Sequence, residues 1–157
     1  MNTLFTKKWV KLLIMAAVCV AAVYALIYAD VVLRARSAYL EGEKYWSWYQ
    51  DPKLKDAAIG EWYLKEKGKL EKEQLKNAIT KDEFDRRLEL LDFTKAQKLK
   101  DSSIKYAYVW YQTVVELFSP PESKWVRLAR EKMPRAKELW KKELTEKKIP
   151  FEEYMLD

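Results

Sequence analysis

Eighteen consecutive residues without a charge, Leu12 to Ala29, constrain this chain more than any other feature of it. As a helix they cover about 27 Å, close to the ~30 Å hydrocarbon core of a bilayer, and a helix satisfies its backbone polar groups internally. The run holds no Gly or Pro, and its apolar character extends to Leu33 if Asp30 sits at the interface. Leu12, Ile14, Val18, Val20, Val23, Leu26 and Ile27 are therefore the membrane-anchor residues, with the lipid bilayer as their partner. Lys7, Lys8 and Lys11 precede the span beside Trp9, while Tyr24 and Tyr28 lie towards its far end, where interfacial aromatics belong.

The bases fix an expected orientation. Three lysines and the amino terminus flank the first end, against Arg34 and Arg36 beyond the second, so the N-terminus is expected in the cytoplasm. The C-terminal part then lies outside it, in the periplasm of a Gram-negative cell. The alternative is a secretory signal cleaved after Ile27-Tyr28-Ala29, which leaves a soluble periplasmic binding module starting at Asp30. Signal h-regions run 7–15 residues, and this longer run favours a retained single-pass signal anchor. Cys19 follows Val18 rather than a small residue, which argues against lipidation and for simple packing.

Composition narrows the remainder. Gly and Pro number only three and five, which favours helices over turn-rich sheets. There is no His and one Cys, so the commonest general base, an intrachain disulfide and a thiolate metal cage are all missing. No Gly-x-Ser-x-Gly, phosphate loop, or zinc or haem ligand set occurs, and acid pairs such as Glu71 and Glu73 or Glu152-Glu153 do not converge on one helical face. Catalytic, cofactor-binding and metal-ligating residues are accordingly read as none, and the protein as not an enzyme. Half of the +6 net charge belongs to the three N-terminal lysines; beyond them 27 bases face 24 acids in alternation, too diffuse a field for nucleic acid.

The organisation expected is a basic flank over 1–11, a transmembrane helix over 12–33, a helical domain over 34–144 and an extended tail over 145–157. The membrane helix continues outward as a stalk with Val32, Ala35, Tyr39, Trp46 and Tyr49 on its inner face and Gly42 among them. Asp51-Pro52 caps a second helix carrying Leu54, Ala57, Ala58, Trp62 and Leu64, with Gly68 as its natural end. The charged stretch 69–79 reads as a short helix or a connection. Thr80 to Glu83 forms a capping box before a helix marked by Phe84, Leu88 and Leu91. Asp101, Ser102 and Ser103 then introduce a helix over 104–118 with two apolar stripes. Ile104, Ala107, Tyr108, Tyr111, Val114, Val115 and Phe118 form one; Tyr106, Val109, Trp110, Thr113 and Leu117 form the other. A helix apolar on both faces must be covered on both. Ser119-Pro120 is expected to start the last helix, with Trp125, Leu128, Ala129, Ala136, Leu139 and Trp140 inward and Pro134 kinking or splitting it.

Ala107-x-x-x-Tyr111-x-x-Val114-x-x-Leu117, then Ser119-Pro120, then Trp125-x-x-Leu128-Ala129, resembles the second helix of one tetratricopeptide repeat running into the first helix of the next. The likeness covers about 104–130, with weaker echoes at Ala58-x-x-x-Trp62 and Ala38 to Gly42. It implies an all-α fold in which the transmembrane helix continues into a small helical-hairpin, tetratricopeptide-like domain.

The function expected follows from the anchor and from the aromatics, 14% of the chain. Tyr and Trp carry interface energy because each joins a rigid apolar body to a polar tip. Trp46, Trp48, Tyr106, Trp110 and Trp125 are the candidate protein-contact residues of a membrane-anchored adaptor or accessory subunit that joins other subunits in a hetero-complex. The same faces suit self-assembly into a homo-oligomeric membrane structure as the alternative.

Overall fold

The computed structural model describes residues 3–156. Five α-helices, and no strand among these residues, make up the chain: α1 (Thr3–Gln50), α2 (Pro52–Leu75), α3 (Lys81–Lys100), α4 (Ser103–Leu117) and α5 (Lys124–Glu146). One 3₁₀ turn, Glu153–Leu156, ends the tail, which is thus not extended throughout.

α1 lives in two surroundings. From Trp9 to Ala29 every side chain is exposed, and from Ala35 onward one face is buried. Leu12, Ile14, Val18, Val20, Val23, Leu26 and Ile27 are all more than half exposed, so nothing in the chain covers them. Among the described residues this is the one helix long and apolar enough to cross a membrane, compatible with a single-pass anchor. The side chains of Lys7 and Lys8, expected to flank it, lie outside the described residues.

The C-terminal turns of α1 join α4 and α5 in a three-helix head. Tyr45 meets Tyr106 and Tyr39 meets Tyr111, so α1 and α4 run antiparallel. Arg36 lies against Trp125 and Arg135 against Trp46, so α1 and α5 run parallel. α1 and α5 both pack against α4, but its second stripe is not covered throughout as expected, since Val109 and Leu117 are exposed. Its first stripe supplies the core, with Ile104, Ala107, Tyr111 and Val114 wholly buried beside Ala35, Val126, Ala129 and Ala136. The tail returns Phe151 and Leu156 to this core.

α2 and α3 pair antiparallel as an arm, with Arg87 bonded to Glu73 at one end and Lys55 reaching the end of α3 at the other. The capping residues act as the sequence indicates: Asp51, Thr80 and Ser102 each accept from a backbone N–H of the first turn they precede.

Three boundaries differ from expectation. α2 does not stop at Gly68 but continues to Leu75, absorbing most of the charged stretch. A Lys69–Glu66 pair and the Arg87–Glu73 bond to α3 hold the extra turns, which offsets the conformational cost of one glycine. α5 starts at Lys124 with Ser123 as its cap, not at Pro120. Each residue preceding a proline is pushed out of helical backbone geometry, and Pro120 itself precedes Pro121. Pro134 does not split α5; it sits on the exposed side, where the carbonyl that loses its donor faces water.

Gly60 and Gly68 have open space where a Cβ would stand. Replacing either with Ala is expected to raise the unfolding free energy of the full chain in detergent by about 0.5–1 kcal/mol, read from the urea midpoint.

Candidate functional site

The head is built around one carboxylate. Glu43 follows Gly42 and lies one turn beyond Tyr39 on α1, which directs it between α4 and α5. The Tyr111 hydroxyl donates to Glu43 Oε1 at 2.6 Å, and Lys132 Nζ from α5 donates to both oxygens at 2.7 and 2.6 Å. Tyr39 donates as well. Burial pushes the Glu43 carboxyl up, but hydrogen bonds from Lys132 and Tyr111, the lysine charge and the Tyr39 bond together hold it below the usual carboxylate value. Burial and the neighbouring carboxylate raise the Tyr39 hydroxyl to about 12, and the same causes raise Tyr111. Such a centre holds no proton near neutrality that it readily gives or takes. Among the described residues no buried side-chain nitrogen or oxygen lacks a partner, which fits a fully satisfied, stabilising network.

Rings enclose it. Tyr39 lies 5.9 Å from Tyr111 and 5.6 Å from Trp125, and Trp46 lies 6.3 Å from Tyr111, centroid to centroid. The Lys132 ammonium stands 5.8 Å over both Tyr39 and Trp46. Gly42 allows this packing: a Cβ there would stand 2.7 Å from Tyr111 Cε1.

The five candidate contact residues fall into two groups. Trp46, Trp110 and Trp125 border the core around Glu43, while Trp48 and Tyr106 meet Tyr45 on the side facing the arm. All five are half-buried. The larger exposed apolar side chains beyond the span lie elsewhere. They include Leu33 and Leu40 on α1, Leu54, Leu64 and Leu75 on α2, Leu90 and Phe93 on α3, Leu117 at the end of α4, and Ile149 and Tyr154 in the tail.

Between head and arm, Tyr45, Trp48, Tyr106, Lys55, Lys98 and Asp101 line a cleft of about 300 Å³. Lys55 is buried there, and its ammonium donates to the carbonyls of Leu99 at 2.9 Å and Asp101 at 2.5 Å. It caps the C-terminus of α3, where a cation is favourable. Burial lowers its pKa against the pull of Asp101 and Asp56.

Sequence reading passed over Lys55 and Ile59, the two buried residues of α2, and favoured Leu54 and Leu64, which are exposed. It also passed over Glu43 and Lys132. The available signal was an acid one turn past Tyr39 on an apolar stripe, and a lysine on the inward face of α5. No group of three or more potential metal ligands occurs among the described residues. No protein-family model, curated protein or solved structure matches the chain.

Proposed function

We propose that this protein is a single-pass, membrane-anchored helical adaptor, an accessory or assembly subunit that docks onto other proteins of a membrane complex and performs no catalysis of its own. The observation that carries this reading is the arm. It leaves the head at the end of an anchored helix and presents Leu54, Leu64, Leu75, Leu90 and Phe93 to solvent, with Phe93 66% exposed. Large exposed apolar side chains carried by both helices of the arm support a protein partner. The half-buried aromatics Trp46, Trp48, Tyr106, Trp110 and Trp125 give the head its rigid shape and leave ring edges at the surface. The three lysines before the span support an N-terminus in the cytoplasm with the head and arm outside it.

The α4–α5 junction is, in this reading, tetratricopeptide-like. Of the residues that carry the resemblance, Ala107, Tyr111, Val114 and Ala129 are buried between helices and Trp125 and Leu128 pack against the same core, while Leu117 is exposed. Antiparallel neighbours with small and aromatic residues at the crossing support it.

Purification from membranes in mild detergent is expected to recover other subunits in fixed ratio. The pair Leu90→Asp with Phe93→Asp, at exposed positions, is expected to weaken that recovery about tenfold or more with unchanged helicity. A lone monodisperse monomer from the unaltered chain contradicts the proposal.

A further inference from the structure

We infer that the α4–α5 turn is a second membrane contact, seated in the headgroup layer and drawn to anionic phospholipid; this rests on α1 being a retained anchor. Helix register carries the inference. Going from the Tyr45–Tyr106 contact to Tyr39–Tyr111 moves six residues down α1 and five up α4, and one more such step brings Leu33 level with Glu116, the neighbour of Leu117. The Arg36–Trp125 contact sets Ser123, where α5 begins, level with Arg34. Leu33 is four residues, about 6 Å, past Ala29. The headgroup layer beyond the hydrocarbon core is roughly 5–7 Å thick on each side. A chain that spans with Leu12 to Ala29 therefore holds this turn inside that layer.

The residues found there suit it. Leu117 is 71% exposed and Leu33 61% exposed, with Pro120 exposed and Phe118 half-buried beside them. Around them stand exposed Arg34, Arg36, Lys124, Arg127 and Arg130, against the acids Asp30, Glu116 and Glu122. Asp30 pairs with Arg34, Glu122 with Arg130, and Glu116 accepts from Gln112. Five bases against three acids leave a net surplus of two positive charges, since Glu116 keeps its charge; Arg36, Lys124 and Arg127 stand about 9–14 Å past Ala29 in this register and reach back to the layer along their long side chains. The Arg36 guanidinium and the Lys124 ammonium lie 5.8 and 5.5 Å from the Trp125 ring, a tryptophan flanked by bases as at a lipid interface. The surplus charge favours anionic headgroups.

The test uses the full chain with Cys19→Ala and single cysteines, Val20→Cys, Leu117→Cys or Val109→Cys, each carrying an environment-sensitive fluorophore. The proteins are reconstituted in vesicles of phosphatidylcholine with or without phosphatidylglycerol, and quenched by lipids bearing nitroxides at shallow or deep positions. The label at Val20 is expected to respond to the deep quencher. The label at Leu117 should respond to the shallow one several-fold more than that at Val109, which sits two turns higher on the same helix. Phosphatidylglycerol should increase the Leu117 response, and Lys124→Gln with Arg127→Gln should remove that increase. If Val20 is quenched while Leu117 behaves like Val109, the turn is not at the membrane and the inference falls. A Leu117 label shielded from aqueous iodide yet untouched by lipid nitroxides means that protein covers the turn, which also overturns it. An unquenched Val20 label removes the anchor itself, a failure distinct from the other two.

Discussion

Gly42→Val is expected to cost about 3–4 kcal/mol of unfolding free energy, a large part of the ~5–15 kcal/mol that holds an ordinary domain together. A Cβ at this position falls 2.7 and 2.9 Å from Tyr111 Cε1 and Cδ1, and 3.4 Å from Trp110 Cβ. The ring has nowhere to go. Tyr111 is wholly buried, its hydroxyl is held by Glu43, and Tyr39 and Trp46 lie against it. Gly42→Ala is milder, about 1–2 kcal/mol, because helix propensity returns ~1 kcal/mol of the overpacking cost. A double-mutant cycle isolates the cause. With Tyr111→Ala already present, Gly42→Ala should stabilise by about 1 kcal/mol, since the clash is gone and the propensity gain remains. Simple additivity of the two costs contradicts the packing described.

Glu43→Leu is the second large effect, expected at about 2–3 kcal/mol. It leaves the Tyr111 hydroxyl without its acceptor inside the head and strips Lys132 of its counter-ion. The lysine side chain is about one-third exposed and can turn to water, which keeps the cost below that of a fully buried pair. Glu43→Gln retains much of the hydrogen bonding and should cost about 1 kcal/mol. The charge has a pH signature. The folded carboxyl titrates below its usual value of 4.5, so its stabilisation is complete above that value and is lost as pH falls through the folded pKa. Urea midpoints measured across the acid range should therefore decline for the unaltered chain, with part of that decline missing in Glu43→Gln. An identical acid limb in both proteins would remove Glu43 from the account.

These two residues also mark what the sequence conveys and what it withholds. The apolar run, the caps at Asp51, Thr80 and Ser102, and the inward stripe of α4 were legible because each rests on local spacing or local hydrogen bonding. Gly42 could be placed on the buried face of α1, but its necessity comes from a ring that arrives from α4. Glu43 and Lys132 are 89 positions apart, and only the parallel packing of α1 on α5 joins them. Lys55 is the same lesson reversed: lysine is seldom buried, yet the open carbonyls at the end of α3 draw it in and leave Leu54 outside. The end of α2 was misread because Gly68 was weighed as a terminator, without the α3 contacts that carry the helix past it.

All of this assigns α1 two tasks, crossing the bilayer and supplying one third of the head. The intact mass of the chain recovered from alkaline-washed membranes tests that assignment most directly. The account predicts a mass that retains residues 1–29, in the membrane pellet. A soluble chain whose mass begins at Asp30 would contradict it.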